Sequence, residues 1–124
     1  MQQPPTAAEL LATVVEVLTA DVVPVLTGPV QHHARVAANL VAIVERELRL
    51  GGDAATRERA AIAALLDVDG TGDLATLRVR LAAELRGGMA DDDTTNENVW
   101  RALMGVVRDD LTIAKPGHDA WDGD

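Results

Sequence analysis

The sequence predicts an all-α fold, a compact bundle of about five helices with short connections and a flexible acidic C-terminal tail. Apolar residues recur at the i, i+3, i+4 and i+7 spacing of amphipathic helices, and no segment alternates as a surface strand does. The apolar residues are almost all Ala, Val and Leu, with two Trp and no Phe or Tyr, which suits closely packed helices. We expect one domain over residues 1–115 and a loose acidic tail over 116–124.

The first helix is predicted to begin at Thr6. Thr6 and Glu9 have capping-box spacing, in which each side chain binds a backbone N–H left unpaired at the helix start. Pro24 disfavours helix at Val23 and should end or kink the element there. The predicted buried stripe is Leu11, Val14, Val15, Leu18 and Val22.

The second helix should be the central one and run over about 29–50. Pro29 suits a first helical turn, and the pair Gly51-Gly52 is predicted to end the helix in a left-handed cap. Its predicted core stripe is Val30, His33, Ala37, Leu40, Val44 and Leu48.

Three further helices follow in the prediction. Asp53 should cap a short helix to about Leu66, and Asp73 should cap the next one. A capping box from Thr94 to Glu97 should open the last helix. The inward stripes of the last two helices are predicted as Leu74, Leu77, Leu81 and Leu85, then Trp100, Leu103, Val107, Leu111 and Ala114.

Charge and composition exclude several classes of protein. The net charge is −9, and residues 63–124 hold thirteen acids and six bases, so we expect no nucleic-acid binding. No apolar run approaches the roughly 20 residues of a membrane span, and the N-terminus lacks the basic region of a signal peptide. With no Cys, the sequence favours a soluble protein of the reducing cytoplasm.

The motifs of common enzymes and metal sites are missing. The loop from Asp67 to Arg78 resembles a calcium-binding loop, but its twelfth position, which should supply a carboxylate, is Arg78. We therefore interpret it as a turn followed by a helix cap. There is no Glu-x-x-His pair, nucleophile elbow or phosphate-binding glycine loop. We therefore expect that the protein binds no metal ion and no cofactor, and that it is more likely a non-enzymatic protein than an enzyme.

Candidate binding residues lie on the second helix: His33, Arg35, Asn39 and Arg46. His33 falls on the predicted core stripe, where a neutral imidazole with a hydrogen-bond partner is the favoured interpretation. The other three share the opposite face, which is either plain solvated surface or a binding site. His33, Glu84 and Asp110 all fall on apolar stripes, so they either meet in a polar pocket between helices or reach solvent separately.

The segments "PPTAAELL" (4–11) and "HARVAANLVAIVERELRLG" (33–51) resemble a bacterial family of small all-helical proteins of unknown function. Members are often encoded beside aminoglycoside-phosphotransferase-like kinases and acyl-CoA dehydrogenases. The segment "ADDDTTNEN" (90–98) and the acidic tail depart from the pattern. The resemblance implies an accessory role beside a kinase-like partner and assigns no catalytic residue.

The missing enzyme motifs predict a non-catalytic accessory or regulatory protein that can also self-associate, and the resemblance implies that its partner is kinase-like. The alternative is a binding protein for an acyl or phosphorylated small molecule. Its polar pocket would be lined by the second helix, with Arg35 and Arg46 as anion contacts.

Overall fold

The computed structural model describes residues 3–117, and this part of the chain is helical with no strand. Helix α1 is Ala7–Val17, and it continues into a π-helical segment, Leu18–Val22, and a 3-10 segment, Val23–Val25. Helices α2, α3 and α4 are Gly28–Leu66, Leu74–Arg86 and Asp93–Ala114. The all-α prediction is confirmed, with four α-helices rather than five. Residues 118–124 of the predicted tail lie outside the described residues.

Contacts within the chain group the described residues into two compact units. Unit 1 comprises residues 3–51 and 113–115, and unit 2 comprises residues 52–112 and 116–117. No helix within residues 3–117 combines the length and apolar character that crossing a membrane requires.

Local sequence signals define the start of α1. Thr6 Oγ1 accepts a hydrogen bond of 3.1 Å from the Glu9 N–H, and Glu9 Oε2 accepts one of 3.4 Å from the Thr6 N–H. The predicted capping box is therefore present.

The end of α1 is reshaped around Pro24. Proline has no N–H, and its ring clashes with the carbonyl group four residues earlier, so a regular α-helix cannot continue through it. The backbone instead widens into the π-helical segment and then tightens into the 3-10 segment. Gln31 Nε2 donates a hydrogen bond of 3.0 Å to the carbonyl oxygen of Val23, which ties this turn to the first part of α2.

The prediction that the second helix ends at Gly51-Gly52 is wrong, because α2 runs unbroken to Leu66. Neither glycine has the positive φ of a left-handed cap. The Thr56 hydroxyl donates a hydrogen bond of 3.0 Å to the Gly52 carbonyl oxygen, as a side chain does within a continuing helix. A glycine inside a helix costs only about 1 kcal/mol relative to alanine, which the rest of the helix can offset.

The predicted core stripe of this helix is also wrong. Its large members, Val30, Leu40, Val44 and Leu48, are exposed, whereas Ala38 is buried. The covered face lies one residue further along the helix and combines alanines with larger side chains. Its other members, Gln31, Ala34, Val41 and Ala42, are half-buried.

Unit 2 has a core of buried Ile62, Leu77 and Leu81. The predicted inward stripe of α3 is confirmed for Leu77 and Leu81, and Asp73 occupies the N-cap position. The Asp73 side chain, however, accepts no backbone hydrogen bond from the first turn; its Oδ2 accepts one of 3.3 Å from the Thr76 hydroxyl instead. On α4 the covered face is again displaced by one residue from the prediction. Val99 is buried and Ala102 and Val106 are half-buried, whereas Trp100, Leu103 and Val107 are exposed.

The start of α4 also differs from the prediction by two residues. Asp92 Oδ2, rather than the Thr94 hydroxyl, accepts a hydrogen bond of 2.9 Å from a backbone N–H of the first turn, that of Thr95. This bond lowers the pKa of the Asp92 carboxyl group, because it stabilises the ionised form.

Candidate binding sites

A cleft in unit 1 brings together two of the four candidate residues, Arg35 and Asn39. They are four positions apart on α2 and therefore project from the same side of the helix. The cleft has a volume of about 340 Å³. The other lining residues are Val15 of α1, Thr19 of the π-helical segment, Val23 of the 3-10 segment, and Ala38 and Ala42 of α2.

The polar groups of this cleft suit an anion. Arg35 forms no ion pair with any residue in 3–117. A guanidinium group offers several N–H donors in a planar fork that matches carboxylate and phosphate groups. The Asn39 amide and the Thr19 hydroxyl add neutral hydrogen-bonding groups, and the other side chains are apolar. The cleft therefore combines one cation with walls that favour an apolar substituent.

The π-helical segment places Thr19 in this cleft. Short π-helical insertions in α-helices occur frequently at functional sites, because they redirect side chains from the regular helical register. Thr19 lies within Leu18–Val22, and Val23 follows directly. The sequence did not identify Thr19 and Val23 as cleft residues, although Pro24 indicated that the first helix is irregular at its end.

Arg46, the third candidate, does not line this cleft. Its Nε donates a hydrogen bond of 2.6 Å to the carbonyl oxygen of Ile113, and the side chain is half-buried. A guanidinium group held in this way stabilises the last turn of a helix, whose carbonyl oxygens lack helical partners. Its geometry supports a structural role.

His33, the fourth candidate, is exposed. The prediction that it packs in the core is wrong, because the covered face of α2 lies one residue away. Its ring centroid lies 6.2 Å from that of His32, and its side chain does not line the cleft. Glu84 and Asp110 are exposed as well, so each of the three titratable groups predicted on apolar stripes reaches solvent.

Unit 2 contains a separate apolar cavity of about 240 Å³ among α2, α3 and α4. Arg78 and Glu58 also line it, and they form two hydrogen bonds of 2.7 and 2.6 Å. The hydrogen bond and the charge of Glu58 raise the pKa of Arg78. Because the two residues lie 20 positions apart on different helices, no local sequence pattern could reveal the pair. The apolar lining residues include Ile62, Leu65, Leu81, Leu85, Leu103 and Val106.

The loop that resembles a calcium site has the geometry of a turn. Asp69 Oδ1 accepts a hydrogen bond of 2.9 Å from the Thr71 N–H, and Asp67 has a φ of 54°. Both features are common in turns that contain aspartate. Within residues 3–117, no group of three or more His, Asp or Glu side chains could hold a metal ion.

Large apolar side chains are exposed in stripes on three of the described helices, and the α1 stripe consists of Leu10, Val14 and Val17. The α4 stripe consists of Trp100, Leu103 and Val107, and Trp100 is 66% exposed. The α2 stripe consists of Val30, Val36, Leu40, Val44 and Leu48, whose exposed fractions lie between 42% and 59%. Single exposed apolar side chains are common on proteins, but contiguous apolar patches mark interaction sites.

A family model described as "Domain of unknown function (DUF6285)" matches residues 24–118. The chain belongs to this family. The match includes "ADDDTTNEN", which the sequence had suggested as a departure, and omits "PPTAAELL", which had contributed to the resemblance. The family region includes Arg35, Asn39, Arg46 and the α2 and α4 stripes, whereas the cleft residues Val15, Thr19 and Val23 precede it. No curated protein and no solved structure matches the chain.

Proposed function

We propose that this family member is a non-catalytic accessory protein that acts by binding another protein through the α4 stripe. The observation that carries the proposal is the exposure of Trp100, with Leu103 and Val107 on the same side of α4. Tryptophan is enriched among the residues that contribute most binding energy at interfaces.

Burial of this stripe would supply a substantial driving force. A tryptophan side chain buries about 150–250 Å² of surface, and each Å² of apolar surface removed from water contributes about 25 cal/mol. Covering the exposed 66% of Trp100 would therefore contribute about 2.5–4 kcal/mol before the entropic cost of association.

Charge beside the stripe favours a partner with a basic rim. Asp91, Asp92 and Asp93 are consecutive and exposed at the start of α4. Complementary charge accelerates encounter and selects the orientation of docking more than it strengthens a complex. The partner we propose is a kinase-like protein of the aminoglycoside-phosphotransferase type, which the sequence resemblance implies.

A calorimetric titration with the purified kinase-like protein encoded beside the gene tests this proposal. Trp100→Ala should weaken binding by tenfold or more. Val79→Ala is the matched control, because Val79 on α3 is also a large apolar residue, is 69% exposed and lies outside the stripe. Absence of binding by the wild type, or equal affinities for the wild type and Trp100→Ala, would contradict the proposal.

The unit 1 cleft supports a second candidate function, the binding of an acyl or phosphorylated small molecule. Arg35 would contact the carboxylate or phosphate, and the apolar walls would contact a short acyl chain. Small-molecule pockets commonly have volumes of about 300–1,000 Å³, and this cleft lies near the lower end of that range. Arg46 is not part of this ligand set, because it binds the Ile113 carbonyl oxygen.

Thermal melts with octanoate and with acetyl phosphate test the second candidate. A ligand that binds only the folded state stabilises it by RT ln(1 + L/Kd), where L is the free ligand concentration, so the melting temperature rises with ligand concentration. We expect such a rise for the wild type, its loss in Arg35→Gln, and its retention in Arg49→Gln, a control for an exposed arginine on the same helix. Equal rises in Arg35→Gln and the wild type would show that the ligand binds elsewhere, and no rise in the wild type would contradict this candidate.

A further inference from the structure

We propose that two copies of this chain associate through the α2 stripe as an antiparallel pair, with Leu40 of each copy at the two-fold axis. This interface is separate from the α4 stripe proposed for the protein partner. The α2 stripe is the largest exposed apolar stripe on unit 1, and in this proposal a second copy of the chain covers it.

The central part of the stripe, Val36, Leu40 and Val44, is arranged symmetrically about Leu40. In a helix with about 100° per residue, Val36 and Val44 lie one turn before and one turn after Leu40, displaced by about 40° to opposite sides. His33 lies two turns before Leu40 and Glu47 two turns after it. Around the helix axis, each points only about 20° away from the direction of Leu40. All five side chains are exposed.

This symmetry makes the face self-complementary in charge. In an antiparallel pair with its two-fold axis at Leu40, the residue n positions before Leu40 faces the residue n positions after Leu40 of the other copy. His33 therefore faces Glu47 of the partner subunit, and each pair occurs twice. A parallel pair would instead place the two Glu47 carboxylates against each other, which is destabilising.

The His33 and Glu47 side chains at the two ends of this face are available for such pairs. Within residues 3–117, neither His33 nor Glu47 forms an ion pair. The Glu47 carboxylate lies over Gly51, where a Cβ atom would come within 2.8 Å of Glu47 Oε1. The small residue at position 51 thus leaves room for this carboxylate beside the stripe.

The apolar part of the face also suits a second copy. The same aliphatic residues would meet across the axis, with Val36 against Val44 of the partner subunit and Leu40 against Leu40 of the partner subunit. The stripe spans roughly 27 Å along α2, at about 1.5 Å per residue between Val30 and Leu48. Most soluble homo-oligomers are two-fold dimers in which one patch contacts itself in this way.

Sedimentation velocity of the full chain is the first test. The wild type should sediment as a dimer, and Leu40→Asp should sediment as a monomer with unchanged helix content by circular dichroism. Val79→Asp places the same charge on an exposed aliphatic position outside the stripe and should remain dimeric. A monomeric wild type, or a dimeric Leu40→Asp variant, would overturn the proposal.

Cysteine crosslinking tests the antiparallel register and does not depend on disruptive variants. The chain has no native cysteine, so each introduced thiol reports a single position. An oxidised mixture of Val36→Cys and Val44→Cys chains should form mixed disulfides, whereas Val36→Cys alone should form few. Thr13→Cys, at an exposed position of α1, is the control for random collisions. The antiparallel register would be overturned by efficient crosslinking of Val36→Cys with itself. Mixed crosslinking no greater than that of the control would also overturn it.

Charge exchange gives a third readout on the proposed ion pairs. Glu47→Lys alone should weaken the dimer, because the lysine would face a histidine. The double variant His33→Glu, Glu47→Lys should regain the lost affinity. If the double variant dimerises no better than Glu47→Lys, the proposed pairing is wrong. A Trp100→Ala variant should keep the wild-type dimer affinity, so failure of this inference is distinguishable from failure of the proposed function.

Discussion

Arg46 Nε donates a hydrogen bond of 2.6 Å to the carbonyl oxygen of Ile113, which lies in the last turn of α4. The donor is charged and half-buried, and the acceptor belongs to a buried residue. Arg46 and Ile113 are 67 positions apart in the sequence, and this hydrogen bond connects them within unit 1. Arg46 was a candidate binding residue, and its contact with Ile113 supports a role in stability.

We predict that Arg46→Ala lowers the free energy of unfolding by about 1–3 kcal/mol, because a hydrogen bond from a charged donor is lost. The matched control is Arg49→Ala on the same helix. Arg49 forms an exposed pair of 2.8 Å with Glu45, and such pairs contribute about 0.3–0.5 kcal/mol. Urea denaturation measures both changes. Equal losses in the two variants would contradict the structural role of Arg46.

Gly52→Ala should stabilise the protein by about 0.5–1 kcal/mol, because alanine is favoured over glycine inside a helix. A Cβ atom at position 52 would meet no atom within 4 Å. Gly51→Ala should stabilise less, since its Cβ would displace the Glu47 carboxylate. Thermal or urea denaturation checks both variants. A destabilised Gly52→Ala protein would indicate that the glycine pair ends the helix, as the sequence first suggested.

The Asp92 cap predicts a specific dependence on pH. Its folded-state pKa is lowered, chiefly by the hydrogen bond from the Thr95 N–H. The ionised carboxylate therefore stabilises the fold at pH values above the unfolded-state pKa, about 3.9, and the contribution is lost as pH falls through the folded-state value.

A carbon-detected NMR titration of the Asp92 carboxyl group should give a midpoint below that of an aspartate in the unfolded chain. Asp92→Asn retains an accepting oxygen for the cap and should remove this part of the pH dependence of stability. An Asp92 midpoint at or above the unfolded value would contradict the cap.

The sequence predicted the features of the fold that depend on neighbouring residues. Thr6 and Glu9 form a cap through contacts three positions apart, and Leu77 and Leu81 identify the inward side of α3. The glycine pair misled the prediction because the roughly 1 kcal/mol cost of a helical glycine is smaller than the effects of packing around it.

The faces of α2 and α4 were mispredicted for a different reason. The prediction assumed that the largest apolar residues lie inside, but Ala38 is buried while Leu40 is exposed. That assumption fails on α2 and α4, where large apolar residues lie on the exposed face. Spacing did predict that Arg35 and Asn39 share a side of α2, but the cleft depends on Thr19, which a π-helical segment positions.

The most direct test of the proposed function follows Trp100 alone by fluorine NMR. The full chain would carry Trp121→Phe and be labelled with 5-fluorotryptophan, so that one signal reports Trp100 and an unlabelled kinase-like partner adds none. In the free protein, a soluble paramagnetic agent should broaden this signal strongly, because Trp100 is 66% exposed. On addition of the partner, the signal should shift and become protected from the agent. A signal already protected in the free protein, or one that stays accessible in the complex, would contradict the account.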